Sequence, residues 1–250
     1  PPRSTLFPYT TLFRSLFQIK TGIMDISGRT ALIQFGKDRG VTVGDEFAII
    51  QPRILSSGFE LKEETGLLVV KEVHEDFSYA YVLFASRGGP FVGDQLYEVP
   101  RFGSESAFYG HLLAREGDLS LLAGVRQVAT RGFYKYRPYV GLEFPLALDY
   151  SLGGFLSTLY LGAELNWYLG RIQITPQAAA GISGKIPFEE EEEYQLSHAG
   201  GRVQLTVSYL LSKNVKLFLD TGYSLWYSIE PSLFPDLTGL FAGAGVTVKY

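Results

Sequence analysis

The chain has 250 residues, no cysteine and a formal net charge of −4, and 46% of its residues are hydrophobic. This length suits one large domain or two small ones. Because the charge is not basic, nucleic-acid binding has no electrostatic support. Without cysteine, neither a disulfide scaffold nor a thiolate metal site can form. No uninterrupted apolar run of about 18 residues occurs, so no transmembrane helix is expected.

The first residues differ from the rest. The stretch from Thr5 to Ser15 resembles the translation of a sequencing-adapter oligonucleotide. We therefore predict that residues 1–15 are an artefactual or disordered segment and exclude them from fold reasoning. Because the only methionine is Met24, we expect the natural N-terminus, with any signal peptide, to be missing.

Residues 16–100 predict a small β-rich domain. Short strand-like runs are separated by glycine-containing turns. The tripeptide Val-Gly-Asp occurs at 43–45 and again at 92–94, each time before such a run. A glycine that adopts positive φ, followed by an aspartate that bonds its own turn, would start a strand in both places. We expect a small barrel or sandwich of about five or six strands.

The order of these motifs has a counterpart in a known family. Val43-Gly-Asp45, a hairpin around His74 to Phe77 and then Val92-Gly-Asp94 resemble part of the C-terminal β-barrel of the flagellar assembly protein T family. The resemblance implies an envelope-facing binding or scaffolding module with a periplasmic or cell-wall partner. It implies no catalytic residue.

After a predicted linker at 101–106, long alternating segments recur between turns. We count eight of them: 107–116, 119–129, 138–149, 156–168, 171–182, 201–211, 214–227 and 238–250. Most reach the nine to eleven residues that a tilted transmembrane strand needs, whereas strands of soluble proteins usually have about five or six. Segment length therefore favours a membrane barrel over a soluble sandwich.

The two faces of each segment differ in chemistry. In 201–211, Val203, Leu205 and Val207 alternate with Arg202, Gln204 and Thr206. In every segment the charged residues share the less apolar face, as expected because a lysine or arginine facing lipid near the midplane costs about 2–4 kcal/mol. Aromatic residues near the segment ends, among them Tyr139, Trp167 and Tyr209, predict interfacial girdles.

The last segment alternates up to Tyr250. It resembles the closing strand of the small outer-membrane β-barrel protein superfamily, and this resemblance covers residues 105–250. It implies that Val246, Val248 and Tyr250 form a C-terminal signal that the barrel assembly machinery reads.

These patterns predict an all-β chain with an antiparallel transmembrane β-barrel of about eight strands at 107–250, preceded by a small soluble β-barrel or sandwich domain. An even strand number places both barrel ends on the periplasmic side. We therefore expect the cell outer membrane as the location, with residues 16–100 in the periplasm. Residues 183–200 and 228–237 are the expected outer loops, whereas residues 130–138 are long for an inner turn.

Ten charged residues on the inward face are the candidate site. An eight-stranded barrel has room only for its own side chains, so their mixed signs favour a paired interior network, with a gated solute path as the alternative. The predicted barrel-interior charged network is Arg115, Arg126, Glu143, Asp149, Glu164, Arg171, Arg202, Lys216, Asp220 and Lys249.

No sequence motif indicates catalysis. The three histidines belong to no zinc-protease or hydrolase motif, and the acidic run at 189–193 lacks the spacing and turn glycine of a calcium site. We therefore expect no enzyme activity, cofactor or metal, but a structural, adhesive or envelope-scaffolding role with outer-membrane lipid as partner. A lipid-modifying barrel enzyme using His198 with Ser197, or His111, is one alternative. A soluble β-sandwich binding module is the other.

Overall fold

The computed structural model describes residues 18–86, 88–115, 118–146, 154–187, 195–229 and 237–250. In these ranges the chain forms two closed antiparallel barrels and one short 3₁₀ helix, Lys37–Arg39. The predicted all-β class is confirmed, and the sandwich alternatives are wrong because both sheets close. No helix in these ranges is long and apolar enough to cross a membrane. Residues 1–15 lie outside them.

The smaller barrel has six strands in the order β1-β2-β5-β4-β3-β6. They are β1 (Lys20–Ser27), β2 (Thr30–Ile33), β3 (Glu46–Ile54), β4 (Glu60–Val73), β5 (Ser78–Ala85) and β6 (Gln95–Val99). Pairing of β1 with β6 closes the sheet. Alternate side chains from the strands, including Ile33, Phe47 and Leu68, fill its core.

Both Val-Gly-Asp motifs start strands in the predicted way. Gly44 and Gly93 have φ of 87° and 91°, a region that favours glycine. An Asp45 carboxylate oxygen accepts the Thr42 backbone N–H at 2.8 Å, and Asp94 accepts the Phe91 N–H at 2.9 Å. β3 and β6 begin directly after these aspartates.

The larger barrel has eight strands, each paired with its neighbours in sequence. They are β7 (Ser104–Arg115), β8 (Asp118–Ala129), β9 (Tyr136–Pro145), β10 (Gly154–Leu165) with its continuation β11 (Trp167–Leu169), β12 (Ile172–Pro187), β13 (Gln195–Ser212), β14 (Val215–Ser228) and β15 (Gly239–Lys249). We count β10 and β11 as one strand because both pair with β12. Pairing of β15 with β7 closes the barrel.

Several strands extend beyond the predicted segments. β7 begins at Ser104, so the connection between the barrels is shorter than the predicted linker 101–106. Residues 183–187 and 195–200 are paired strand where an outer loop was predicted. The strand residues there include Ser183, Gly184, Ser197 and His198. Such small or polar residues also favour loops.

The predicted division between the two faces of the larger barrel is confirmed. In β13, Val203, Leu205 and Val207 are 44–59% exposed, whereas Arg202, Gln204 and Thr206 are 2–5% exposed. On the other strands the charged residues also lie inside and the outside is apolar, but the interior holds apolar clusters as well, such as Leu113, Leu122 and Phe241. One girdle prediction is wrong, because Tyr139 is buried inside the barrel.

The small barrel covers one end of the larger barrel, which we call the proximal end. This end carries Ser104 of β7 and Lys249 of β15, and the opposite end is the distal end. β3 and β4 contain the apolar runs 47–50 and 67–70, which are buried on both faces. One face fills the small barrel's own core. The other packs against Tyr134, Tyr168 and Leu210 of the larger barrel.

The connection 130–135 between β8 and β9, long for an inner turn, is part of this contact. The Gly132 N–H donates to the Val43 carbonyl at 2.7 Å, and Arg131 Nε donates to Thr42 Oγ1 at 3.1 Å. The Tyr134 ring stacks on Tyr168 with ring centroids 5.6 Å apart. The additional length of this turn thus holds the small barrel in place.

The face assignment predicts that two leucine-to-lysine substitutions differ in how much they lower barrel stability. Leu219 on β14 of the larger barrel is 68% exposed, and Leu61 on β4 of the small barrel is 50% exposed. Leu219→Lys should lower barrel stability in lipid vesicles by about 2–4 kcal/mol because the charge would face lipid. Leu61→Lys should change it by less than about 0.5 kcal/mol. Urea titration of the vesicle-inserted protein measures both, and equal effects would contradict the assignment.

The two Val-Gly-Asp glycines provide a matched test of the contact between the barrels. A Cβ on Gly44 would overlap the Thr130 carbonyl oxygen, whereas a Cβ on Gly93 would have nothing within 4 Å. Both alanine variants strain a positive φ equally, so only Gly44→Ala should loosen the contact. We expect the Gly132 amide to exchange hydrogen roughly tenfold faster in Gly44→Ala, a loss of about 1.4 kcal/mol. Unchanged exchange relative to Gly93→Ala would contradict the contact.

Candidate functional site

Charged and polar side chains share the interior of the larger barrel with apolar and aromatic clusters. Seven of the ten predicted residues are buried inside it: Arg126, Glu143, Glu164, Arg202, Lys216, Asp220 and Lys249. Arg115 lies half-exposed at the distal end of β7 and Arg171 half-exposed at the proximal start of β12. Asp149 lies outside the described residues. Three further buried residues join the network: Glu105 and Arg137, which the sequence patterns did not include, and His111, which they offered only as an enzyme candidate.

Four of these residues form a central cluster. His111 Nδ1 lies 3.2 Å from Glu143 Oε2, and His111 Nε2 lies 3.1 Å from Asp220 Oδ1. Each ring nitrogen of His111 thus lies within hydrogen-bond distance of a carboxylate, so the ring bridges Glu143 and Asp220. Arg202 donates to Glu143 Oε2 at 2.7 Å. His111 and Arg202 therefore face the carboxylates of Glu143 and Asp220.

Aromatic rings enclose the central cluster. The rings of Tyr109 and Phe241 lie 4.4 and 4.8 Å from the His111 ring. The Tyr160 hydroxyl donates to Glu143 Oε1 at 2.8 Å, and the Arg202 guanidinium lies 4.0 Å from the Tyr160 ring centroid. These rings keep water from the ion pairs, which strengthens them.

A second cluster lies towards the proximal end. Lys216 donates to Glu105, and Arg137 Nη1 lies 3.6 Å from the same carboxylate. Arg137 Nε donates to Glu164 Oε1 at 2.7 Å. Lys249, from the last strand, lies closest to the small barrel and pairs with a residue of that barrel.

That residue is Glu46, at the start of β3. It pairs with Lys249 and accepts hydrogen bonds from Arg101 Nε and Nη2 at 3.0 and 2.8 Å. Arg101 also donates to the Lys249 carbonyl and to Asn214 Oδ1, each at 2.9 Å. Burial alone would raise the pKa of Glu46, but the charges of Lys249 and Arg101 outweigh it and hold the pKa below its ordinary value. One ionised glutamate thus joins the two barrels.

The predicted C-terminal signal residues lie along β15. Val246 and Val248 are half-buried. The Tyr250 ring packs edge-on against Phe102 with centroids 6.4 Å apart, and its hydroxyl contacts Ser106. Recognition of these residues by the assembly machinery stays a prediction.

The candidate enzyme residues lie inside the barrel. Ser197 and His198 have no solvent exposure, and His198 Nδ1 lies 3.0 Å from Ser197 Oγ. His111 is held between two carboxylates. The acidic run 189–193 is outside the described ranges. Within those ranges no group of three or more histidine, aspartate or glutamate residues is placed to hold a metal ion.

The missed residues differ in how far the sequence could have indicated them. Glu105 and Arg137 have the inward parity of their strands but precede the predicted segment starts at 107 and 138. Extending the alternation by two residues would have included both. Glu46 carries no such indication, because its partner Lys249 is more than two hundred positions away and belongs to another barrel.

Strand length, closure, an apolar outside and a charged inside together define a transmembrane β-barrel. Every backbone group within such a barrel is paired with a neighbouring strand, and its outward face meets lipid. The class of protein follows from these features alone.

Comparison with known proteins gives a limited result. No protein-family model matches the chain, and no curated protein matches it. Similar solved structures include the N-terminal β-barrel domain of Pseudomonas aeruginosa OprF, with a TM-score of 0.42 and 11% identity over 59% of this chain and 96% of that one. Neisserial surface protein A gives 0.38 and 13% over 59% and 96%.

A major outer membrane protein from Thermus thermophilus gives a TM-score of 0.30 and 9% identity, over 59% of this chain and 99% of that one. At these TM-scores the likeness carries no argument about function. The barrel assignment depends on the strands of this chain.

The lowered pKa of Glu46 predicts that acid separates the barrels. A carboxylate with a lowered pKa contributes its full stabilisation above its ordinary pKa of 4.5 and loses it as the pH falls through the lowered value. We therefore expect hydrogen-exchange protection of the Gly132 amide, relative to its intrinsic rate, to fall in this acid range.

In the variant Glu46→Gln, the Gly132 amide should lose protection already at neutral pH, because breaking a buried pair costs about 3–5 kcal/mol. The protection that remains should no longer fall as the pH is lowered. The control Glu64→Gln removes an exposed pair with Lys213, worth at most about 1 kcal/mol. If Glu64→Gln and Glu46→Gln behaved alike, the assigned role of Glu46 would be wrong.

Proposed function

We propose that this protein is an integral outer-membrane protein with a structural, envelope-scaffolding role, in which the larger barrel anchors the small barrel at its periplasmic mouth. The observation that carries the proposal is the buried pairing of Glu46 with Lys249 and Arg101. It ties the small barrel to the interior of the membrane barrel, so the two parts act as one unit.

Connection lengths support this orientation. Outer-membrane barrels have short periplasmic turns and longer outer loops. At the proximal end, residues 170–171 and 213–214 form two short turns, and the longer 130–135 holds the small barrel. At the distal end, three of the four connections are longer: 146–153, 188–194 and 229–238. These lengths support the periplasm as the side on which the proximal end and the small barrel lie.

The filled interior supports a structural role over transport. An eight-stranded barrel is just wide enough for its own side chains, and the two clusters occupy it with paired charges and rings. The small barrel then covers the proximal mouth. A solute path would have to break buried ion pairs at both levels.

The enzyme alternative has less support. A lipid-modifying serine and histidine have to reach the membrane surface, whereas Ser197 and His198 are fully buried. An adhesive role would use the distal connections, most of which lie outside the described residues.

A periplasmic or cell-wall partner for the small barrel is part of the proposal. The tip of the β3–β4 hairpin exposes Ile54 and Phe59, which are 77% and 75% accessible. Apolar side chains of this size on a soluble surface support a contact with another molecule there.

The test is to express residues 16–250 behind a signal peptide, fractionate the cells and compare boiled with unboiled envelope samples on gels. We expect outer-membrane recovery and a heat-dependent mobility shift. Purified protein in planar bilayers should give no sustained conductance. Soluble periplasmic recovery would overturn the membrane assignment, and steady conductance would overturn the structural role.

A further inference from the structure

Charge is distributed unevenly inside the larger barrel. In the central cluster, His111 and Arg202 face the carboxylates of Glu143 and Asp220. The proximal cluster is not balanced in the part of the chain that the structure describes. Its cations are Arg101, Arg126, Arg137, Lys216 and Lys249, and its carboxylates are Glu46, Glu105 and Glu164. Positive charge therefore exceeds negative charge near the periplasmic mouth.

Arg126 is the cation of this cluster to which the described residues offer no counter-ion within ion-pair distance. Its side chain on β8 is only 4% exposed, and Nη1 donates to the Gln177 amide oxygen. No carboxylate oxygen of a described residue lies within the 4.0 Å that defines an ion pair, although Glu164 attracts Arg126 at longer range. Arg126 Nε has no hydrogen-bond partner among the described residues.

Aromatic rings compensate only in part for the missing counter-ion of Arg126. The Arg126 guanidinium lies 5.3 Å from the Tyr139 ring centroid and 5.9 Å from that of Phe218. Such cation–π contacts favour the charge, but they leave the N–H of Nε unpaired. A buried, unpaired donor on a buried charge is strongly unfavourable unless something in the site accepts it.

A small cavity lies next to Arg126. It is lined by Arg126, Arg137 and Lys216 together with Gln177 and Thr206, and it has room for about one water-sized particle. The carboxylates of Glu105 and Glu164 also line it, but Lys216 and Arg137 already bind them. Thr206 Oγ1 accepts N–H bonds from Gln177 and Gln204 at 3.0 and 3.3 Å, so its own O–H can donate into the cavity.

We propose that this cavity is a binding site for one monoatomic anion, of which chloride is the natural example. Three cationic and two acidic side chains line it, which leaves one positive charge in excess beside it, and its size excludes phosphate, sulfate and carboxylates. The anion would accept the free N–H of Arg126 and offset the surplus positive charge of the proximal cluster. A bound water would satisfy the hydrogen bond but not the charge.

The test compares the unfolding of the full chain, refolded in detergent, in sodium chloride and in sodium gluconate at equal ionic strength. A ligand that binds only the folded protein raises stability with its concentration, so chloride should raise the urea midpoint progressively. Arg126→Met should abolish this dependence without lowering the midpoint in gluconate, because it removes an uncompensated buried charge. Arg115→Met, at the distal end, should keep the full chloride dependence.

A second variant covers the case in which Arg126→Met does not fold. Thr206→Val keeps the shape of the side chain and removes the hydroxyl, so the apparent chloride Kd should rise about tenfold. Chlorine NMR line broadening should detect exchange of chloride with the wild-type barrel, and added bromide should displace it. Equal midpoints in chloride and gluconate for the wild type would overturn the proposal and leave a water in the cavity. An Arg126→Met variant with the wild-type chloride dependence would also overturn it.

Discussion

Backbone pairing in lipid is the constraint on which the larger barrel depends. Inside a bilayer every N–H and C=O has to find a partner in the protein, so the eight strands close through the pairing of β15 with β7. Closure fixes one side of every strand towards lipid and the other towards a narrow interior. Charges such as Arg202 and Glu143 can exist only on the inner side, and there they have to find each other. The charged network is thus a consequence of closure.

Burial also explains the sequence pattern of the small barrel. A strand exposed on one face alternates, whereas β3 and β4 carry unbroken apolar runs at 47–50 and 67–70 because both of their faces are buried. Glu46 directly precedes the first run and is the polar residue on the face that meets the larger barrel. Apolar packing around Leu210 holds the two barrels together, and the Glu46 pairs with Lys249 and Arg101 fix their relative position.

Much of the larger barrel could be predicted from the sequence, because the pattern that specifies each strand lies within that strand. A period of two is visible residue by residue, so the eight segments and the inward position of Arg126 or Asp220 follow from a single strand at a time. The ends of the strands cannot be predicted from a single strand. β12 and β13 continue through Ser183 and His198, where pairing with a neighbouring strand outweighs loop propensity. Contacts across the barrel, such as His111 between Glu143 and Asp220, need the register of strands far apart in sequence. The role of Glu46 needs the docking of two domains, which no local pattern records.

The position of the surplus positive charge follows from the same geometry. A cation at the mouth, such as Lys249, would be hydrated if the small barrel were undocked, so the larger barrel tolerates it there. Docking then replaces that water with Glu46, and the free energy of the pair becomes part of the free energy of docking. Arg126 lies deeper, and no carboxylate of a described residue lies within ion-pair distance of it. The two carboxylates that line the cavity beside it, Glu105 and Glu164, pair with Lys216 and Arg137. Among the described residues, neither domain supplies a carboxylate that pairs with this buried guanidinium. A small anion bound beside Arg126 would neutralise it.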